Sequence, residues 1–162
     1  MRCLLSLGNE LKAAKLGLER IEALLARLGR PQRCFPSVHI AGTNGKGSTA
    51  AMIEAGLREA GQRTGLYTSP HLVRINERIR VNGDEIGDAA FAEAFEVVQG
   101  AVEQLLAEGA VDAHPSYFEC VTAMAFEHFR RAGVERAVVE VGLGGRLDAT
   151  NVVEPEVAVI TP

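Results

Sequence analysis

At 162 residues the chain is long enough for one domain with a substantial buried core. Hydrophobic residues make up 47% and charged residues 23%, which excludes wholesale disorder, and no apolar run approaches the length that spans a bilayer. The net charge of -4, with no Lys or Arg run longer than a pair, argues against nucleic acid as a main partner.

The first periodic segment runs from Glu10 to Leu28, where Leu11, Ala14, Leu18, Ile21, Leu24, Leu25 and Leu28 recur at helical spacing and Gly29 and Pro31 supply the stop. Ser37 to Ala41 is a short, mostly apolar run that leads straight into the glycine-rich turn Gly42-Thr43-Asn44-Gly45-Lys46-Gly47-Ser48. A helix follows to about Ala60, with Gly61 as its stop. Thr64 to Thr68 reads as the next strand, then a turn at Ser69-Pro70-His71 and a hairpin around Asn82-Gly83. Asp88 is a candidate cap for a helix to about Glu108, with Phe91, Ala94, Phe95, Val98, Val102 and Leu105 on one face. A further helix is expected over Tyr117 to Ala132, burying Val121, Met124, Ala125 and Phe129. The strand Ala137 to Val141 precedes a second glycine-rich loop, Gly142 to Arg146, and Val157 to Ile160 is a last apolar strand.

Strands alternating with helices predict an α/β fold with a mainly parallel sheet, in one domain over 1–162 without an internal linker. A buried strand in such a sheet normally leads on to another loop and helix, so the chain is expected to be a fragment. Cys3, Cys34 and Cys120 are widely spaced, odd in number and without a C-x-x-C pair, which reads as reduced thiols in a cytoplasmic protein. His39, His71, His114 and His128 lack metal-ligand spacing.

The strand–turn–helix around Gly42 to Ser48 carries the clearest chemistry. Phosphate binding needs successive N–H groups pointing into one concavity, and a following helix N-terminus adds unpaired donors and a positive dipole end. Lys46 would set an ammonium against the β- and γ-phosphates, and Ser48 or Thr49 offers a hydroxyl to Mg²⁺ or phosphate. The general pattern G-x-x-x-x-G-K-[ST] is broken at Ile40 and Gly47. Glu140, at the end of its strand, is placed for Mg²⁺ at the crevice of an open α/β sheet, or for an ion pair with a surface Arg. Ser69 follows another strand on the same presumed edge and reads as a turn former or a metal ligand. Asp148 reads as a loop charge or as the cap of a short helix.

Four segments occur in order: Leu16-Gly17-Leu18-Glu19-Arg20-Ile21, Gly42 to Ser48, Tyr67-Thr68-Ser69-Pro70-His71-Leu72, and Glu140-Val141-Gly142-Leu143-Gly144-Gly145-Arg146-Leu147-Asp148-Ala149-Thr150-Asn151. Together they resemble the folylpolyglutamate synthase/dihydrofolate synthase family, a branch of the Mur-ligase-like ATP-dependent ligases, from Leu16 onward. The resemblance implies a P-loop-type three-layer sandwich like the Mur-ligase central domain. It implies an enzyme that uses ATP and Mg²⁺ to phosphorylate the carboxylate of dihydropteroate or tetrahydrofolate and then joins L-glutamate to it.

By the same resemblance, Gly42, Thr43, Asn44, Gly45, Lys46, Gly47, Ser48 and Thr49 form the ATP loop, with Lys46 and Glu140 catalytic and Ser69 and Glu140 holding the metal. Leu16, Gly17, Ser116, Tyr117, Phe118, Glu119, Leu147, Asp148 and Ala149 match segments that contact the pterin-bearing substrate; for Tyr117 and Phe118 core packing is the competing role. A monomer, with neither nucleic acid nor membrane as partner, is expected. The family's metal-binding His, its carbamylated lysine and its C-terminal ligase domain would lie beyond residue 162, so this length alone is expected to be inactive. Two other readings stay open: another P-loop phosphotransferase, weakened as a GTPase by the absence of N-K-x-D, and a non-catalytic nucleotide-binding module.

Overall fold

The computed structural model describes residues 17–162. Six strands form one sheet in the order β4-β3-β2-β5-β1-β6, where β1 is Ser37–Ala41, β2 Thr64–Tyr67, β3 Ile79–Val81, β4 Asp84–Glu85, β5 Arg136–Glu140 and β6 Val157–Ile160. The four strands β2, β5, β1 and β6 are mutually parallel, while β3 and β4 extend the sheet antiparallel through a hairpin. Asn82 and Gly83 at its turn both have positive φ, 52° and 84°, the backbone that matches strand twist in a two-residue hairpin.

The helices are α1 (Glu19–Arg27), α2 (Lys46–Glu59), α3 (Asp88–Ala107) and α4 (Tyr117–Arg131). Successive strand residues point to opposite faces, and the burial sorts accordingly. Val38, Ile40, Leu66 and Val138 face α2 through Ala50, Ile53 and Leu57. Tyr67, Ala137 and Val139 face the other way, into a larger core built on α4 with α1 and α3 packed outside it. This gives three layers. As the helix in the middle of that core, α4 is buried from Glu119 to Glu127 without a break. The charge of Glu127, which lies in that stretch, is met by Arg130 at 2.6 Å and Arg131 at 2.7 Å.

Helix ends follow from local chemistry with one correction. Ser116 caps α4 in a reciprocal box, accepting from Glu119 N at 3.2 Å while Glu119 Oε2 accepts from Ser116 N at 2.6 Å. Asp88 does not cap α3: Gly87 is the N-cap and Asp88 is the first helical residue. Its carboxylate instead accepts from Arg74 Nη2 at 2.6 Å and Asn76 Nδ2 at 3.0 Å, which joins the start of α3 to the turn before β3. The part of the first expected helix before residue 17 lies outside the described residues. No helix among the described residues is long and apolar enough to cross a membrane.

Candidate functional site

The parallel strands deliver their C-terminal ends to one edge of the sheet, where an open α/β fold receives ligands. Four segments meet there: the loop after β1, the turn after β2, the glycine-rich loop after β5, and Thr161–Pro162 after β6.

The loop after β1 has a tight origin. Gly42 has φ 135° and its Cα faces the side chain and carbonyl of Thr161 so closely that any Cβ would overlap both. Thr161 N in turn donates to Ala41 O at 2.9 Å. Thr43 N and Asn44 N donate to Pro162 O at 3.1 and 2.7 Å, so in this conformation these two donors are occupied by the chain itself. The sequence pattern had assigned them to phosphate. The first bond of α2 runs from Thr49 N to Gly45 O at 2.9 Å, which leaves the N–H groups of Lys46, Gly47 and Ser48 ahead of the helical ladder, pointing out of the helix start. The donors left outside backbone pairing are therefore those of the second half of the loop. Lys46 Nζ folds back onto Gly42 O at 3.0 Å and Thr43 O at 3.4 Å, which holds the ammonium over the loop.

Glu140 is 4% exposed and its Oε2 accepts from Ser69 N at 3.0 Å. Register sets this meeting: β2 and β5 are adjacent, with Tyr67 paired to Val139, so the residues just beyond them converge. A Cβ on Gly47 would lie 3.5 Å from Glu140 Oε2, so the carboxylate stands directly beside the start of α2. Burial pushes the Glu140 carboxyl above the usual carboxylate range, against the opposing pull of the Ser69 N–H and the Lys46 ammonium. Glu140 and Ser69, predicted as a metal pair, are thus neighbours. Among the described residues no cluster of three or more His, Cys, Asp or Glu could hold a metal. A carboxylate and a serine suit Mg²⁺, which takes few protein oxygens and fills its octahedron with water and phosphate.

Of the segments expected at the pterin-bearing substrate, Ser116–Glu119 and Leu147–Ala149 touch the second glycine-rich loop through Phe118 and Asp148. Leu16 lies outside the described residues, and Gly17 precedes α1. Ser116 and Glu119 form the α4 cap, Tyr117 is buried beneath the Arg78 guanidinium at 5.6 Å from its ring, and Phe118 lies 6.0 Å from the Tyr67 ring. Phe118 also wedges under the second glycine-rich loop: a Cβ on Gly142 would be 2.5 Å from its ring. Leu147 is exposed. Asp148 is buried and does act as a cap, for the short turn Ala149–Val152. Its Oδ2 accepts from Leu143 N at 2.8 Å and its Oδ1 from Thr150 N at 2.9 Å and Thr150 Oγ1 at 2.5 Å.

Two features of the site were not read from sequence. The Thr161–Pro162 backing of the loop carries no local signal, because it joins adjacent strands that lie far apart in sequence. His39 was visible as the one ionisable side chain inside the run Val38–Ile40, yet its partner Thr150 is 111 positions away.

No protein-family model matches the chain. It is 50% identical over 148 residues to the probable bifunctional folylpolyglutamate synthase/dihydropteroate synthase of Halobacterium salinarum, which covers 91% of this chain and 18% of that protein. Other curated relatives are named dihydrofolate synthase/folylpolyglutamate synthase. Among solved structures, Mycobacterium tuberculosis folylpolyglutamate synthase complexed with ADP superposes with a TM-score of 0.92 at 44% identity, covering 99% of this chain and 35% of that one. Escherichia coli FolC in complex with DHPP and ADP gives 0.87 at 42% identity, covering 99% and 37%. The chain spans between 17% and 34% of the length of the first four curated relatives it matches.

Proposed function

We propose that this chain, homologous over about nine tenths of its length to folylpolyglutamate and dihydrofolate synthases, forms the ATP- and metal-binding part of a ligase that joins L-glutamate to dihydropteroate or a reduced folate. One observation carries the reading: the desolvated Glu140 carboxylate, tied to Ser69 N, stands beside the Lys46 ammonium and the start of α2. In that arrangement the N–H groups of Lys46, Gly47 and Ser48 receive phosphate oxygens. The Lys46 ammonium exchanges its hold on Gly42 O for the β- and γ-phosphates. Glu140 and Ser69 hold Mg²⁺, which when bound neutralises phosphate charge.

The chemistry asks for this. A substrate carboxylate attacking a γ-phosphate brings like charges together, and preorganised cations lower that barrier where water is excluded. That attack expels ADP and leaves an acyl phosphate, and the amine of glutamate then attacks its acyl carbon, forming the amide and releasing phosphate and a proton. The contact of Phe118 with Gly142 and the hold of Asp148 on Leu143 N support assigning Ser116–Glu119 and Leu147–Ala149 to the pterin-bearing substrate. The domain assignment of 1–162 as an ATP-binding unit that needs a further ligase domain belongs to this proposal, as does a cytoplasmic monomer.

The test is calorimetric titration of Mg-ATP into the chain, beside a Lys46→Ala variant whose circular dichroism matches the parent. Binding that weakens at least about tenfold in the variant, a change of ~1.4 kcal/mol, supports the reading. Equal binding by parent and variant rejects Lys46 as the phosphate cation. In a complete protein carrying these residues, phosphate release that depends on both glutamate and a pteroate separates the ligase from a phosphotransferase.

A further inference from the structure

A hydrogen-bond chain runs from β1, inside the sheet, into the second glycine-rich loop. His39 Nε2 lies 2.9 Å from Thr150 Oγ1, which lies 2.5 Å from Asp148 Oδ1, and Asp148 Oδ2 accepts from Leu143 N at 2.8 Å. Thr150 is fully buried and Asp148 nearly so. The Thr150 hydroxyl has one proton and two potential acceptors. A carboxylate is the stronger acceptor and the shorter contact, so the proton goes to Asp148 and the oxygen is left to accept from His39. That fixes His39 as the Nε2–H donor.

We propose that His39 is a positioning residue: through Thr150 it orients Asp148 and, through Asp148, sets the shape of the loop Gly142 to Arg146 at the substrate edge. The two ends of the relay differ in rigidity. His39 sits on β1 with a strand hydrogen-bonded on either side, opposite Val139 of β5 and Ala158 of β6. The loop holds three glycines in four residues and lacks a sheet partner of its own. A rigid strand thereby fixes a segment whose backbone alone is permissive, the arrangement that a precise binding surface needs. Burial lowers the His39 pKa despite the pull of Asp148, which keeps the ring neutral at slightly alkaline pH with its one proton on the nitrogen facing Thr150. Asp148 has acceptor capacity for about four hydrogen bonds and three are used here, so a direction remains for an N–H donor on a ligand. This last step rests on the reading of Leu147–Ala149 as part of the pterin-bearing substrate's site.

The experiment uses the full chain, nitrogen-15 labelled at histidine and along the backbone, at pH 7.5, as wild type, Thr150→Ser, Thr150→Val and His39→Phe. The relay predicts an Nε2–H signature for His39 in wild type and Thr150→Ser, lost in Thr150→Val. It predicts Leu143 amide exchange faster by about tenfold or more in Thr150→Val and His39→Phe, equal to wild type in Thr150→Ser, with strand amides of Val138 and Val139 unchanged. An Nδ1–H tautomer in wild type, or Leu143 exchange that ignores Thr150→Val, overturns the proposal. Dihydropteroate titration is the second arm: weaker binding in Thr150→Val with Mg-ATP binding retained extends the relay to the substrate. Wild type that fails to bind dihydropteroate while the tautomer and exchange results hold rejects the substrate assignment and leaves the relay standing.

Discussion

Glu140 Oε2 accepts the backbone N–H of Ser69 at 3.0 Å, which ties the end of β5 to the turn after β2. Glu140→Gln keeps an oxygen for that N–H and removes a desolvated charge, so stability is expected to be unchanged or raised. The Mg²⁺-dependent part of ATP affinity is expected to fall by about tenfold or more, ~1.4 kcal/mol. Thermal melts and paired titrations with and without Mg²⁺ read the two effects separately. A variant that keeps full Mg²⁺ dependence rejects Glu140 as the metal carboxylate.

Gly42→Ala should be severe for a different reason. The position has φ 135° and its missing Cβ leaves room only for Thr161. Backbone strain of about 1–3 kcal/mol is expected even before the overlap with Thr161 is counted. Urea denaturation would show it as a lower midpoint at constant slope. A midpoint equal to the parent's would mean that the loop does not approach Thr161 in solution.

Glu77 gathers the N–H groups of Leu72, Val73 and Arg74 at 2.8, 2.8 and 2.6 Å. The bonds from Leu72 and Arg74, with a smaller share from Val73, pull its carboxyl down to about 2. A carboxylate whose folded value is depressed stabilises above its unfolded value and loses that effect as pH falls through the folded one. Protection of these three amides should therefore persist well below pH 4 and vanish towards pH 2. Glu77→Ala should remove it at neutral pH, although Leu72 and Val73 are almost fully exposed in either case. Amide exchange of residues 72–74 that does not respond to Glu77→Ala would refute the pinned turn.

Phe129→Ala should cost about 3–5 kcal/mol, the range for truncating a large buried aromatic. The ring is fully buried, stands edge-on to Phe35 at 5.9 Å, and touches the Cα of Gly65 on β2 so closely that a Cβ there would be 3.0 Å away. The loss should appear in chemical denaturation of the chain. A loss under about 1 kcal/mol would show that the core collapses around the site.

Much of this architecture was legible in the residues. Ser37–Ala41 and Val157–Ile160 are observed at their expected bounds because each is a short apolar run bounded by a glycine loop or a proline. The α4 cap also has a local signal, Ser116 followed three residues later by Glu119, which went unread because both residues were assigned to the substrate. Asp88 misled because capping is a competition: Gly87 takes the extended N-cap backbone and the acid is drawn to Arg74 and Asn76. For the site, local sequence located the loops but not their partners. That Thr43 N and Asn44 N turn to Pro162, or that His39 reaches Thr150, depends on strand order, which no short-range pattern encodes.

The position of β5 between β2 and β1 also constrains how the protein can be made. Ser37 pairs with Ala137, a hundred positions later, and Thr64 with Arg136, so the two early parallel strands lack the strand that joins them until β5 leaves the ribosome. At about 5–20 residues per second, the interval from Tyr67 to Glu140 is roughly 4–15 s. During that time β1 is unpaired on both sides and β2 can pair only with β3, so apolar strand edges stay open to wrong pairing. Placing Glu140 at the end of this late strand means that the loop after β1 and its acidic neighbour come together only once β5 has entered the sheet. Chains arrested before residue 140 should then be captured by chaperones rather than by nucleotide.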